Sequence, residues 1–150
     1  MAVKLIEALV KDGLPVGSLK HTDHEYDTDV DGKDSQRHKA AGAEPAVLVA
    51  GRRSAVHRKR AGRAPLSAYL AEFADCDVAV VEGYRSESLP KIEVCRAATG
   101  RAPLCEKDPD VIAVVTDRPT AHPASVPRFS FEEIPGLLSF VRSWLAKGGR

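Results

Sequence analysis

The chain has 150 residues, 43% of them hydrophobic and 29% charged, with 22 basic against 21 acidic side chains and a net charge of +1. This is the composition of one ordinary globular domain. It excludes a collagenous or disordered chain and gives no global pull toward nucleic acid or anionic membrane. No apolar run approaches the roughly 18–20 residues of a membrane span, and the start, MAVKLIEALVKDG, mixes Lys and Glu into its apolar pattern, unlike a signal peptide.

The first segment is predicted to be a helix, because Val3, Ile6, Leu9 and Val10 recur at helical spacing and Gly13 stands where a C-cap belongs. Leu14–Leu19 follows as a short strand ending at Lys20. Residues 21–35, HTDHEYDTDVDGKDS, carry five Asp, one Glu and two His and are expected to form a loop. Asp34 or Ser35 would cap a short helix running to Ala43. PAVLVA (45–50) has the pattern of a buried strand, and Ser54–Arg58 would pair back on it as a hairpin across Gly51-Arg52-Arg53. Residues 52–63 hold six Arg or Lys, read as a solvated face because no aromatic side chains interleave for base stacking.

Leu66–Phe73 suits a modest amphipathic helix. DVAVV (77–81) is continuous and β-branched, as in a strand buried on both faces of a parallel sheet, and KIEV (91–94) and VIAVV (111–115) give two more strands. Residues 97–110 read as an exposed connection and Val126–Phe129 as a last short strand. The C-terminal helix has a stripe of Ile134, Leu137, Leu138, Val141, Trp144 and Leu145, with Ser130-x-x-Glu133 placed as a capping box and Phe129 and Ile134 as a staple. Cys76, Cys95 and Cys105 are odd in number, widely spaced and read as reduced thiols of a cytosolic protein.

Helices alternating with buried strands imply an α/β domain, residues 1–150, with a mainly parallel sheet. Such sheets bind ligands outside the carboxyl ends of their strands. Three polar endings fall there: Lys20-His21, Glu82-Gly83 and Thr116-Asp117. A strand-end carboxylate such as Glu82 can hold hydrated Mg²⁺. Asp29–Ser35 (DVDGKDS) could offer backbone N–H groups, Lys33 and the Ser35 hydroxyl to a phosphate, with Asp29 a second candidate for Mg²⁺. His21 and His24 with Asp23, Asp27 and Asp29 form a weaker metal candidate, since no third His or Cys lies near and carboxylates suit hard cations. His38, His57 and His122 read as surface residues.

Taken in order, KHTDHEYDTDVDGKDSQRHKAAGA (20–43), DVAVVEGYR (77–85), PKIEVCR (90–96) and VIAVVTD (111–117) resemble the molybdopterin-guanine dinucleotide biosynthesis adaptor (MobB) family across essentially the whole chain. The resemblance implies a P-loop NTPase-like three-layer sandwich with a β-hairpin. It also implies binding of GTP and Mg²⁺, a molybdenum cofactor guanylyltransferase partner, a homodimer and a cytoplasmic location, with neither nucleic acid nor membrane as partner. It assigns Lys20, His21, Lys33, Asp34 and Ser35 to the phosphate and Mg²⁺ region, Glu82 and Gly83 to a Walker-B-like element, and Asp117 to the guanine.

Two departures matter. Position 23 is Asp where the family usually has His, and no G-x-x-x-x-G-K-[ST] occurs in the chain. In the family a first strand and that phosphate-cradling loop precede the first helix. The 150 residues are therefore expected to bind GTP weakly or not at all, to leave open sheet edges where the strand would lie, and to begin at a methionine inside the first helix, most simply because the start lies upstream, with a truncated paralogue or a trimmed chain as the alternatives. Two other readings stand beside the nucleotide-binding adaptor: a nucleotide-independent protein-interaction module, and a His/Asp metal-binding protein. At most the chain would be a weak GTPase.

Overall fold

A computed structural model describes residues 1–24, 27–62, 64–118, 123 and 125–149. They fall into two compact units, residues 1–21 with 72–150, and residues 22–71.

In the first unit, α1 (Ala2–Lys11) buries Leu5 and Leu9, one turn apart, and turns Lys4, Glu7 and Lys11 outward. It stops in a Schellman motif. Gly13, at φ 87°, donates its N–H to Val10 O (3.0 Å), and Leu14 donates to Leu9 O (3.2 Å). The chain then enters β1 (Val16–Lys20), which pairs in parallel with β4 (Val78–Glu82) in the register Val16↔Val78 to Lys20↔Glu82.

β5 (Lys91–Cys95), β6 (Val111–Thr116) and β7 (Arg128–Phe129) form a second, three-stranded parallel ladder in that order. The mainly parallel sheet read from the sequence is thus present as two ladders. β6 is the central strand. Val115 packs with Leu5, Leu9, Leu137 and Val141, between α1 and α3 (Ile134–Ala146). Val111 and Val114 pack instead with Cys105 and Val126. Residues 97–110 are consequently not wholly exposed: Glu93 on β5 accepts the N–H groups of Leu104 (2.6 Å) and Cys105 (2.9 Å), pulling that loop onto the strand.

α3 begins as the sequence implied, in part. Glu133 reaches back to the Ser130 N–H (2.6 Å) and Pro135 sits in the first turn, but the reciprocal hydroxyl bond goes to Glu132 N (3.4 Å). Arg142 on α3 pairs with Asp12 after α1 (2.7 Å). β4 is not buried on both faces. Val78 and Val80 pack on the helix-side core, while Ala79 is exposed.

The second unit starts with the acidic loop and α2 (Asp34–Ala40), which ends three residues short of Ala43. Its N-cap is Lys33, whose ammonium has no acceptor to cap with, and the Ser35 hydroxyl donates to Asp29 instead. The hairpin is found as β2 (Ala46–Ala50) against β3 (Arg53–His57). It is not the buried strand that PAVLVA suggested: Ala46 is buried, but Val47 is 57%, Val49 71% and Val56 58% exposed. Leu66–Phe73 forms a 3₁₀ helix at the expected place. The cysteines are free thiols. His122 lies outside the described residues.

Two outcomes follow from this packing. Leu9→Ala should cost about 2–5 kcal/mol in urea unfolding, since its side chain is fully enclosed, whereas Val49→Thr should stay within about 0.5 kcal/mol. Burial pushes the Cys105 thiol up to about 11. At pH 8 about one thiol in a thousand would be thiolate, so alkylation of Cys105 in the native protein should be far slower than after denaturation.

Candidate functional site at the carboxyl ends of the parallel strands

The parallel register sets Lys20 beside Glu82, Nζ to Oε1 3.0 Å, with both side chains more than half exposed. An ion pair this wet contributes little to stability. What it does is hold a cation and a carboxylate side by side, each open to exchange partners. The ladder runs one residue further, since His21 N–H donates to Glu82 O (2.7 Å).

Beyond Glu82 the backbone turns sharply through Gly83 (φ 101°) and Tyr84 (φ 48°). A Cβ on Gly83 would stand 2.9 Å from the His21 carbonyl oxygen, so no other residue fits without moving the strand end. Tyr84 is buried, and its ring lies against the His21 imidazole, centroids 4.4 Å apart. Lys20, His21 and Glu82, all named from the sequence, are therefore brought together. Tyr84 was missed, and its only signal was an aromatic residue directly after the strand-end glycine in VEGY.

Asp117 follows β6 in the same unit. Its Oδ1 accepts the Ala97 N–H (2.6 Å) at the start of a 3₁₀ turn after β5, so it ties two strand ends together. Arg96, at the end of β5, lays its guanidinium 4.3 Å from the Phe131 ring centre.

The remaining candidates lie in the second unit. Asp29 Oδ1 accepts from Val30 N–H (2.9 Å) and the Ser35 hydroxyl (3.1 Å). Its Oδ2 is buried, 3.5 Å from Lys39 Nζ and 3.7 Å from His57 Nε2. Asp27 accepts from Asp29 N–H and pairs with Lys39. His57 is not a surface residue: its imidazole is largely covered and hydrogen-bonds Thr28 Oγ1 at 3.2 Å. His38 is exposed. Lys33 and Asp34 stand at the start of α2, where Asp34 pairs with Arg37 (3.6 Å).

Lys39 and His57 had no signature in the sequence, because each reaches Asp29 from a different element, Lys39 from α2 and His57 from β3. Of the two carboxylates named for Mg²⁺, Asp29 is thus taken by donors and a cation of the chain itself, whereas Glu82 is more than half exposed beside Lys20. Among the described residues no three His, Cys, Asp or Glu side chains converge as a metal centre. Arg60, in the basic stretch, lies 5.5 Å from the centre of the Tyr69 ring.

Two parallel ladders packed against α1 and α3, with charged groups past the strand ends, place the chain among the α/β proteins that take ligands at a sheet's carboxyl edge. The comparisons narrow the class. A family profile described as molybdopterin guanine dinucleotide synthesis protein B (MobB) matches residues 1–117, and the chain belongs to that family. It is 34% identical over 149 residues to the Escherichia coli molybdopterin-guanine dinucleotide biosynthesis adapter protein, covering 96% of this chain and 84% of that one. It is 33% identical to the Haemophilus influenzae protein of the same name, over 95% of this chain and 79% of the relative.

Among solved structures, a MobB homolog from Bacillus stearothermophilus superposes with a TM-score of 0.65 at 26% identity, covering 94% of this chain and 87% of that one. A molybdopterin-guanine biosynthesis protein B structure does so at 0.70 and 20% identity, over 94% and 88%, which speaks to the fold.

The acidic network gives a titration outcome. The Lys39 ammonium, then the Asp29 N–H, hold the Asp27 carboxyl below its ordinary value. Burial works to raise Asp29, but the Val30 N–H and the Ser35 hydroxyl bring it below the ordinary value too. Asp27, by hydrogen bonding, raises Lys39. Depressed carboxyls stabilise the fold above their unfolded pKa of about 3.9 and lose that contribution as pH falls through their lower folded values. The raised ammonium contributes fully below about 10.4 and loses its share as pH rises through its higher folded value. In Lys39→Ala, NMR titration should show the Asp27 carboxyl moving up toward its ordinary range, and an unchanged Asp27 would remove Lys39 as the cause.

Proposed function

We propose that this chain is an adapter in molybdopterin guanine dinucleotide biosynthesis and that Lys20, His21 and Glu82 meet the phosphates and Mg²⁺ of a guanine nucleotide. The observation that carries the reading is the juxtaposition of Lys20 and Glu82, with His21 beside them, at the carboxyl ends of two adjacent parallel strands. Lys20 can turn from Glu82 to a phosphate oxygen. Glu82 can hold a hydrated Mg²⁺ through its exposed carboxylate. His21 supplies a further hydrogen bond. The metal would screen phosphate charge while these groups orient the ligand.

The guanylyltransferase as partner, a homodimer and a cytoplasmic location belong to the same proposal. No helix of the described residues is long and apolar enough to cross a membrane. Asp117 is the candidate for the base; Lys33, Asp34 and Ser35, in the second unit, are the phosphate and Mg²⁺ candidates that the family resemblance assigns.

The 150 residues contain no G-x-x-x-x-G-K-[ST], so the backbone cradle that dominates triphosphate binding elsewhere is absent from them and their affinity should be low. The exposed apolar hairpin favours a second reading in which the adapter acts through protein contacts without nucleotide.

Thermal unfolding separates the two. A ligand at ten times its Kd stabilises the folded state by about 1.4 kcal/mol, about 3–6 °C for a chain of this size. Millimolar GTP with Mg²⁺ should raise the midpoint by that order, GTP with EDTA by less, and Glu82→Gln should abolish the metal-dependent part. No shift with GTP–Mg²⁺, together with undiminished capture of the guanylyltransferase by Glu82→Gln, would establish the nucleotide-free reading.

A further inference from the structure

The turn after β4 holds a residue whose conformation and chemistry pull in opposite directions. Gly83 suits its positive φ, but the next residue also lies in the left-handed region and is a tyrosine. Glycine or asparagine takes such a backbone readily, whereas a bulky aromatic side chain rarely does. Nor does the loop lack solvent: Glu82, Gly83, Arg85 and Ser86 are exposed around it. Yet Tyr84 is only 6% exposed. A strained backbone that persists needs a reason in the surrounding contacts. One contact of the ring is with His21 across the end of the β1–β4 pair, 4.4 Å between centroids with a 47° tilt.

We propose that Tyr84 is a positioning residue, whose ring fixes the His21 imidazole at the edge that carries Lys20 and Glu82, so that one hydrogen-bonding nitrogen is already oriented when an anionic ligand arrives. That the anion is a nucleotide phosphate rests on the preceding reading; the placement of the imidazole does not.

His21 is held twice, at separate points. Its backbone is secured by its N–H bond to Glu82 O and by the close approach of Gly83. Its side chain, with two rotatable bonds, is restrained by Tyr84. Removing the Tyr84 ring should therefore release the imidazole and leave the strand pairing in place. A group restrained before binding loses less freedom on binding, which is how preorganisation raises affinity. Phenylalanine keeps the ring, while leucine fills part of the space without an aromatic face. Glycine removes the ring and relieves the backbone together, which controls for destabilisation.

The test uses imidazole NMR signals of the whole chain, with His21 assigned among the five histidines through His21→Ala. The His21 ring protons should show an upfield ring-current shift in the wild type and in Tyr84→Phe. That shift should vanish in Tyr84→Leu and Tyr84→Gly, with the other histidine signals unmoved as evidence of an intact fold. GTP–Mg²⁺ affinity should fall by about tenfold in Tyr84→Leu and hold within about twofold in Tyr84→Phe. In a His21→Ala background, Tyr84→Leu should have no further effect.

His21 signals that ignore Tyr84→Leu, or an affinity loss of equal size with and without His21, would overturn the positioning role. A wild-type His21 that ignores GTP–Mg²⁺ altogether, while still responding to the Tyr84 variants, would uphold the positioning role and defeat the nucleotide reading instead.

Discussion

Parallel strands cannot be joined by a tight turn, so the chain between them must make an excursion and return in register. Here β1 leaves at Lys20 and β4 ends at Glu82, and everything from residue 22 to residue 71, a compact unit of its own, is strung along that excursion. The closure of so long a loop is entropically unfavourable and is offset where the two strands meet. The register that results is also what makes the site. A slip of one residue would send Lys20 and Glu82 to opposite faces, would cost the His21 N–H its acceptor on Glu82, and would bring a side chain against the space that Gly83 leaves open. Pairing, the turn glycine and the polar cluster are one geometric condition.

The cluster is weakly bound to itself, and this suits a binding role. Lys20 and Glu82 are both exposed, so their attraction is screened and easily exchanged. The acidic loop of the second unit is arranged otherwise. Asp29 is almost wholly covered and surrounded by donors and cations of the chain, and its network spans α2, β3 and the loop. The carboxylates Asp29 and Glu82 thus divide between a tethering task and an exposed, exchangeable one. The division follows their covering rather than their residue type.

Much of the first unit could be read from its residues. β6 is apolar from Val111 to Val115 and buried at all but Ile112, and α3 carries an apolar stripe because one side of it meets β6. The hairpin shows the opposite case. PAVLVA carries a buried strand's composition, but whether an apolar strand is covered depends on neighbours that its own letters do not encode. Of the site, Lys20, His21 and Glu82 were legible as polar residues ending apolar runs. Tyr84, Lys39 and His57 were not, since their roles arise from a left-handed turn and from where α2 and β3 meet the acidic loop. Ser35 had the right residue type for a helix cap, and the nearby Asp29 carboxylate captured its hydroxyl instead.

β6 has one further consequence. Because side chains alternate across a strand, Val114 and Val115, neighbours in the chain, belong to separate hydrophobic compartments, one walled by helices and the other by a loop tethered through Glu93. The strand works as a bulkhead. Sequence drift on the loop side can be absorbed by resetting a flexible segment, while drift on the helical side must be matched by compensating changes in α1 and α3. Among homologues, the two sides of this single strand should therefore have diverged at different rates.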